Sequence, residues 1–193
     1  MHINKTLPLA LALTGVAAPA LAVDQGENYL GGGFGMLSYD TDAEFQGEQL
    51  EFDPTALVWR AGHGVVDNFA VEGRLGFGLS DDSVTRPING NAGTIEAEID
   101  QFFGIYGVGY LPINDTFSVY GLAGITSGEL TATGKVNGTT VAEESDDDTD
   151  FSYGVGAELG LTEDISGYAE WVSYFDEDDY DITGVTVGAK YSF

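Results

Sequence analysis

The sequence predicts an all-β protein, an eight-stranded antiparallel up-and-down barrel that spans a membrane. Three observations lead to this fold. Apolar residues alternate with polar or small residues through eight segments, the connections between the segments are alternately short and long, and glycine is abundant, with 28 residues among 193. The hydrophobic share of 43% is large enough for a folded domain in spite of a net charge of −26.

The first 22 residues are typical of a cleaved export signal. Lys5 supplies a positive charge, an apolar stretch covers residues 7–16, and Ala20-Leu21-Ala22 forms an Ala-x-Ala cleavage site. The apolar stretch is shorter than the roughly 20 residues that a membrane-spanning helix needs, and the alternative is a buried core helix. We therefore expect residues 1–22 to be a signal peptide and residues 23–193 to form one barrel domain.

The predicted strands are about 10–14 residues long, which is roughly the length that a tilted strand needs to cross a bilayer. They cover residues 29–39, 52–64, 69–79, 98–111, 117–130, 150–161, 167–176 and 182–193. Short turns are predicted at residues 65–68, 112–116 and 162–165, and long polar connections at residues 40–51, 80–97 and 131–149, with a shorter one at 177–181. All tight turns thus lie at one end of the barrel, and an odd number of residues in each would keep one face turned inward.

One face of several segments is apolar and the other is charged or bare. In segment 69–79, Phe69 and Leu75 share a face, whereas Glu72, Arg74 and Gly76 share the other, and segments 150–161 and 182–193 repeat the pattern. A soluble barrel would turn the apolar face inward and a membrane barrel would turn it toward lipid. The small residues favour the membrane barrel, because eight strands enclose little more room than side chains fill. Segments 29–39, 98–111 and 117–130 leave their faces unassigned.

Six charged residues within the segments lie close to the tight turns and predict an interior layer of three cations and three anions. A charge exposed to lipid near the middle of a bilayer costs about 2–4 kcal/mol, whereas paired charges are tolerated inside a barrel. Scattered exposed charges are the alternative. The six residues are Arg60, Glu72, Arg74, Glu158, Glu170 and Lys190.

Two acidic runs, residues 143–150 and 176–181, are weak candidates for binding Ca²⁺ or Mg²⁺ through carboxylate oxygens. Neither run has the spacing of an EF-hand, so solvated, mutually repelling loops are the main interpretation. The candidate ligands are Asp146, Asp147, Asp148, Asp178 and Asp179.

No cofactor is predicted. The chain has no cysteine, which excludes disulfides and thiolate chemistry, and six basic residues against 32 acidic ones argue against nucleic-acid binding.

The C-terminal segment ends in phenylalanine, with apolar residues at alternate preceding positions, which are Val185, Val187, Ala189 and Tyr191. With the export signal, eight strands and tight turns, the chain resembles the eight-stranded outer-membrane barrels of Gram-negative bacteria, the OmpA-like and OmpX-like transmembrane domains. The resemblance implies an outer-membrane location, contact with lipid and lipopolysaccharide, and assembly by periplasmic chaperones and the barrel-assembly machinery, which would read Tyr191 and Phe193. It also implies an interior salt-bridge cluster. Two features depart from the resemblance: we expect no periplasmic peptidoglycan-binding domain of the OmpA kind, since the sequence stops at Phe193, and the acidity is unusually high.

Three functions follow as hypotheses. The first is a structural and surface-interaction protein that exposes acidic loops, the second is a narrow porin-like channel, and the third is a lipid-modifying enzyme. The third is the weakest, because His63 is the only histidine after residue 22 and is expected to face lipid or the interface. An aromatic belt at the membrane interfaces is also predicted, formed by Trp59, Phe69, Phe117, Tyr168, Trp171, Tyr191 and Phe193.

Overall fold

The computed structural model describes residues 23–45, 48–80, 82–88, 91–176 and 180–193. The predicted signal peptide, residues 1–22, lies outside the described residues. No helix within the described ranges is long and apolar enough to cross a membrane. The strands are β1 (Asn28–Phe45), β2 (Glu48–Phe52), β3 (Thr55–Val66), β4 (Phe69–Ser80), β5 (Asp82–Ile88), β6 (Asn91–Asn114), β7 (Phe117–Val136), β8 (Thr139–Gly160), β9 (Ile165–Asp176) and β10 (Tyr180–Ser192).

Eight of the strands close into a barrel, which confirms the predicted fold class. The sheet runs in the order β10, β9, β8, β7, β6, β4, β3, β1, and antiparallel pairing of β1 with β10, from Tyr29–Ser192 to Thr41–Tyr180, joins the two ends. The remaining two strands lie beyond the barrel wall, where β2 pairs with the second half of β1 and β5 with the first half of β6. Closure leaves no unpaired edge within the wall, as a membrane-spanning sheet requires.

Three tight turns connect neighbouring strands at one end, which we call the turn end. Regular pairing stops at Gly64–Ala70, at Pro112–Ser118 and at Gly160–Ser166, so five residues separate the last regular partners in each case. In the first two turns a bulge adds one residue to a two-residue turn, and Asn68 has a φ of 65°. The odd count is the one expected if each strand keeps the same face toward the interior.

The long connections at the opposite end, the hairpin end, differ from the predicted polar loops. Residues 82–88, 91–99 and 129–148 form a four-stranded antiparallel extension in which β5, β6, β7 and β8 pair side by side. Asn137 and Gly138 have φ values of 50° and 77° in the turn between β7 and β8, as expected for a type I′ hairpin turn. The Asn-Gly pair flanked by alternating residues is a strong hairpin signal, and the loop prediction overlooked it.

The apolar faces point outward throughout the wall. Leu75, Val155 and Val187 expose 49%, 62% and 56% of their surface, whereas Glu72 and Arg74 are buried. The structure also assigns the three ambiguous segments. Phe34, Phe103 and Ile125 point outward, and the inward side chains of those segments are Tyr29, Leu37, Phe102, Tyr106, Val108, Tyr110, Ser118, Tyr120, Leu122 and Thr126.

The interior contains many aromatic rings, which the sequence did not predict. Tyr168 was placed in the interfacial belt, and this was wrong, because its side chain is buried inside the barrel. Glycines on facing positions make room for such rings. A methyl group on Gly62 would collide with the ring of Tyr29, and one on Gly156 would collide with the ring of Tyr120. The glycine-rich inner face therefore accommodates tyrosines in addition to relieving crowding between strands.

Candidate functional site

Four charged side chains from three strands meet inside the barrel, and we call them the interior tetrad: Arg60, Glu72, Arg74 and Glu170. Arg74 Nε lies 2.6 Å from Glu72 Oε1, and its Nη1 lies 2.7 Å from Glu170 Oε1. Arg60 Nη2 lies 2.6 Å from Glu170 Oε1, and Arg60 Nη1 lies 3.9 Å from Glu72 Oε2. All four side chains are at most 3% exposed. The two arginines are thus bridged by two carboxylates, one from β4 and one from β9, and the ion pairs span the lumen.

The strand register explains how the arginines come together. Arg60 on β3 and Arg74 on β4 are direct cross-strand partners. Two like charges in this position repel each other, so carboxylates must separate them. Glu72 lies two residues from Arg74 on the same inward face, and Glu170 reaches both guanidinium groups from the opposite side of the barrel.

Tyrosines add hydrogen bonds and ring contacts to the tetrad. The hydroxyl of Tyr29 donates to Glu72 at 2.7 Å, and that of Tyr120 donates to Glu170 at 2.9 Å. The guanidinium carbon of Arg60 lies 3.7 Å from the centre of the Tyr168 ring, and that of Arg74 lies 4.7 Å from the centre of the Tyr106 ring. Charged groups removed from water need this combination of opposite charge, hydrogen bonds and aromatic faces to offset their desolvation.

The two other predicted interior charges form a separate pair. Lys190 Nζ lies 2.7 Å from Glu158 Oε1, and the hydroxyl of Ser166 also donates to that oxygen at 2.7 Å. Lys190 lies 4.7 Å from the ring centre of Tyr29 and 5.1 Å from that of Tyr110. The structure thus places all six predicted residues in the interior as a tetrad and a pair, with Tyr29 in contact with both.

On the hairpin side of the tetrad the interior becomes less polar. Ser152 Oγ donates to the carbonyl oxygen of Tyr174 at 3.0 Å and lies 2.6 Å from the hydroxyl oxygen of Thr126. Beyond these groups, the rings of Phe102 and Tyr174 pack with centroids 5.1 Å apart. Phe175, Leu37 and Ile182 are buried in the same core. From the tetrad toward the hairpin end, the lumen is therefore lined first by charged groups, then by hydroxyl groups and then by apolar groups. Side chains at each of these three levels can block the passage of ions and solutes.

The metal predictions concern the hairpin end. Asp148 Oδ1 accepts a hydrogen bond from the backbone N–H of Thr149 at 2.7 Å. Asp146 and Asp147 belong to β8, but their side chains lie outside the described part of the chain, as do residues Asp178 and Asp179 altogether. No cluster of three or more potential ligands occurs among the residues that the structure describes. Divalent-cation binding stays a prediction.

The C-terminal residues lie on the outer wall. Tyr191 and Phe193 expose 50% and 63% of their surface, and their rings stack with centroids 6.0 Å apart. The backbone of Phe193 exchanges two hydrogen bonds with Asn28 of β1, which fixes the end of the chain at the closing seam. His63 is also exposed, with Nδ1 2.9 Å from Asn28 Oδ1. A role of Tyr191 and Phe193 in assembly stays a prediction.

A closed antiparallel barrel with an apolar outer wall and a charged interior defines an integral β-barrel membrane protein. The chain belongs to the outer membrane protein beta-barrel domain family, whose model matches residues 9–193. The protein is therefore an outer-membrane β-barrel protein.

Solved structures of outer-membrane barrels share the fold. Ail, the attachment invasion locus protein of Yersinia pestis, superimposes with a TM-score of 0.60 at 17% identity, covering 88% of this chain and 99% of Ail. Neisserial surface protein A matches with a TM-score of 0.56 at 10% identity, covering 88% of this chain and 100% of that protein. OprG from Pseudomonas aeruginosa matches with a TM-score of 0.53 at 12% identity, covering 89% and 97%. No curated protein sequence gives a significant match.

Proposed function

We propose that the protein is a closed outer-membrane anchor that presents an acidic β-hairpin surface to the outside of the cell. The observation that carries this proposal is the interior tetrad, whose side chains are paired with each other and almost completely buried. An eight-stranded barrel encloses little space, and here ion pairs and aromatic rings fill it, so we expect the barrel to serve as a membrane anchor without an open channel. The function of the protein then resides in the residues exposed at the two ends of the barrel.

The proposed route to the membrane begins with residues 1–22 as an export signal that is removed after Ala22. Exposed Tyr191 and Phe193 would then be available to the barrel-assembly machinery, with periplasmic chaperones protecting the unfolded chain. The turn end would face the periplasm, and the hairpin end would face the exterior, close to lipopolysaccharide. On the outer wall, an apolar groove of about 690 Å³ between Trp59, Leu75 and Phe103 offers a contact for lipid chains.

Single-cysteine labelling tests this orientation, because the chain contains no cysteine of its own. Thr140→Cys places a thiol near the β7–β8 turn, and Asp115→Cys places one in the β6–β7 turn at the other end; both positions are exposed. In intact cells, a membrane-impermeant maleimide should label Thr140→Cys and leave Asp115→Cys unlabelled until the outer membrane is permeabilised. The reverse pattern would contradict the proposed orientation.

Charge indicates the kind of surface partner. Arg60, Arg74 and Lys190 are buried in ion pairs, so only two of the basic residues after residue 22, Arg86 and Lys135, lie outside the barrel wall. The cross-strand partners of the acidic residues on β8 are neutral or acidic, as in the pair Asp147–Glu129. Ail has been solved in complex with sucrose octasulfate, a heparin analogue. For this protein we propose the opposite preference, a cationic partner, because its surface would repel a polyanion.

A narrow channel is the alternative function, and conductance measurements distinguish it from an anchor. In planar bilayers the purified barrel should show no steady ion conductance, because crossing the tetrad would require an ion to displace buried charges. The variant Glu72→Gln provides a sensitive comparison. Steady openings in the unmodified protein that grow in this variant would establish a channel and contradict the anchor proposal.

Enzymatic modification of lipids is the weaker alternative. Within the described residues, the only histidine is exposed on the outer wall and contacts Asn28 through its Nδ1. Catalysis by such a histidine would need a nucleophile within hydrogen-bond distance. We expect lipid A from cells with and without the protein to have the same mass spectrum, and a difference that disappears in His63→Gln would support an enzyme.

A further inference from the structure

We propose that residues 23–27, here called the N-terminal strap, fold across the turn end of the barrel and close its mouth. This second closure deepens the anchor proposal and rests on it for its biological meaning, although its test is independent of ion conductance. The strap is the segment that immediately follows the predicted cleavage site, so it would be formed by the first residues of the processed chain.

Backbone hydrogen bonds fix the strap to the end of β3. The N–H of Gly26 donates to the carbonyl of Gly64, and the N–H of Gly64 donates to the carbonyl of Glu27, both at 2.8 Å. These two bonds extend the pairing of β1 with β3 beyond its last regular partners, Asn28 and His63. Gly26 has a φ of +88°, which lets the chain leave the direction of β1 at this point.

Further contacts carry the strap past the β3–β4 turn. The N–H of Asn68 donates to the carbonyl of Val23 at 2.8 Å, and the N–H of Gln25 donates to Asp67 Oδ1 at 3.1 Å. The carbonyl of Asn68 in turn accepts a hydrogen bond from the N–H of Tyr110 on β6 at 2.8 Å. The strap is therefore hydrogen-bonded to β3 and to the β3–β4 turn, and this turn is itself hydrogen-bonded to β6.

The side chain of Val23 anchors the free end of the strap. It is only 1% exposed and belongs to the buried core of the barrel. Gly64 provides the space for this arrangement, because a methyl group there would collide with the carbonyl oxygen of Asp24 and lie 3.3 Å from Val23 Cγ1. A buried apolar side chain and a glycine that leaves room for it indicate that the strap packs in a defined position at this end of the barrel. A loosely attached chain terminus would have neither feature.

A buried cysteine reports whether the mouth is closed. Ala70 lies on the inward face of β4, directly opposite Gly64, and is completely buried. In protein purified from the outer membrane, Ala70→Cys should react slowly with a water-soluble maleimide. Adding Gly64→Ala should displace the strap and increase the labelling rate at least about tenfold, since local opening sets the access of reagents to buried sites.

Gly73→Ala is the matched control, because a methyl group on this outward-facing glycine meets no atom within 4 Å. It should leave the labelling of Ala70→Cys unchanged. Val23→Asp, which makes burial of the strap unfavourable without changing β3, should increase labelling as Gly64→Ala does. The shift in electrophoretic mobility on boiling shows that each variant is a folded barrel.

Fast labelling of Ala70→Cys with an intact strap, or slow labelling in both folded strap variants, would overturn the inference. Conductance measured on the same variants separates the two proposals. If the strap closes the mouth and the tetrad closes the lumen, Gly64→Ala gains labelling without conductance. Conductance in the protein with an intact strap would instead contradict the anchor proposal and leave the labelling result unaffected.

Discussion

Arg74 is the residue on which the interior tetrad depends most directly. Its guanidinium group contacts both carboxylates, Glu72 at 2.6 Å and Glu170 at 2.7 Å, whereas Arg60 is close to Glu170 and 3.9 Å from Glu72. Removal of Arg74 would therefore leave Glu72 buried with one distant cation and the hydroxyl of Tyr29. Loss of one member of a buried ion pair is costly mainly because the remaining charge stays desolvated.

We predict that Arg74→Ala lowers the free energy of unfolding by about 3 kcal/mol. Arg86→Ala is the control, since it removes the same kind of side chain from β5, outside the barrel wall, and should change stability by less than about 0.5 kcal/mol. Urea unfolding in detergent micelles, followed by tryptophan fluorescence, gives both values. Equal midpoints for the two variants would remove the evidence that Arg74 supports the barrel from inside.

The pair of Lys190 and Glu158 allows a test of coupling between two buried charges. Lys190→Met and Glu158→Gln should each lower the free energy of unfolding. The loss in the double variant should be smaller than the sum of the two single losses by about 1 kcal/mol or more. The reason is that each single variant leaves one buried group without its partner at 2.7 Å. Additive effects in the unfolding measurements would show that the two side chains do not stabilise each other.

At the scale of elements, the extension formed by β7 and β8 depends on a turn that only a few residue types can form. Gly138 has a φ of +77°, a conformation that costs a residue with a Cβ about 1 kcal/mol or more. We predict that Gly138→Ala increases hydrogen exchange of the amides next to the turn and leaves exchange in the barrel wall unchanged. Gly134→Ala, at a strand position with ordinary space for a methyl group, is the control. Unchanged exchange in Gly138→Ala would indicate that the turn does not limit the stability of the hairpin.

The strands of the wall could be predicted because one face of each meets lipid. Alternation and turn residues located the short connections, such as Asp67–Asn68 and Asp115–Thr116, where the structure has turns. Outside the membrane, the apolar alternation weakens, and residues 131–149 were predicted to be a loop. In the structure they are held by β-pairing over both strands and by the Asn137–Gly138 turn. The composition of this segment carried little information on backbone pairing.

The interior was predictable where charge marked the inward face. Tyr168 and Glu170 have the same parity on β9, so the inward position of Tyr168 was available from the sequence, although its aromatic character suggested the interface. On β6 both faces are apolar, and alternation could not distinguish Tyr106 from Ile105. Which carboxylate meets which arginine depends on contacts across the lumen, such as Arg60 with Glu170, which are separated by 110 positions.

At the scale of the whole molecule, the buried ion pairs differ in charge balance from the chain as a whole. The tetrad contains two cations and two anions, and Lys190 with Glu158 adds one of each, so the interior ion pairs are electrically balanced. The excess of acidic residues, 32 against six basic ones in the chain, therefore lies outside these pairs. A field of one sign over an extended surface influences which partners approach it and how fast they do so.

This division of charge predicts binding that depends on the sign of the partner. The purified protein in a non-ionic detergent should bind to immobilised polylysine at low ionic strength and pass through immobilised heparin without retention. Binding to polylysine should weaken steeply near 0.15 M salt, where the screening length falls to about 8 Å.

Replacing the carboxylates of residues 143–148 by their amides should shift elution from polylysine to lower salt. The same replacement at Asp24 and Glu27, at the turn end, is the control for general charge. Retention on heparin would show that a local cationic surface outweighs the total charge, and the proposed preference for cationic partners would then be wrong.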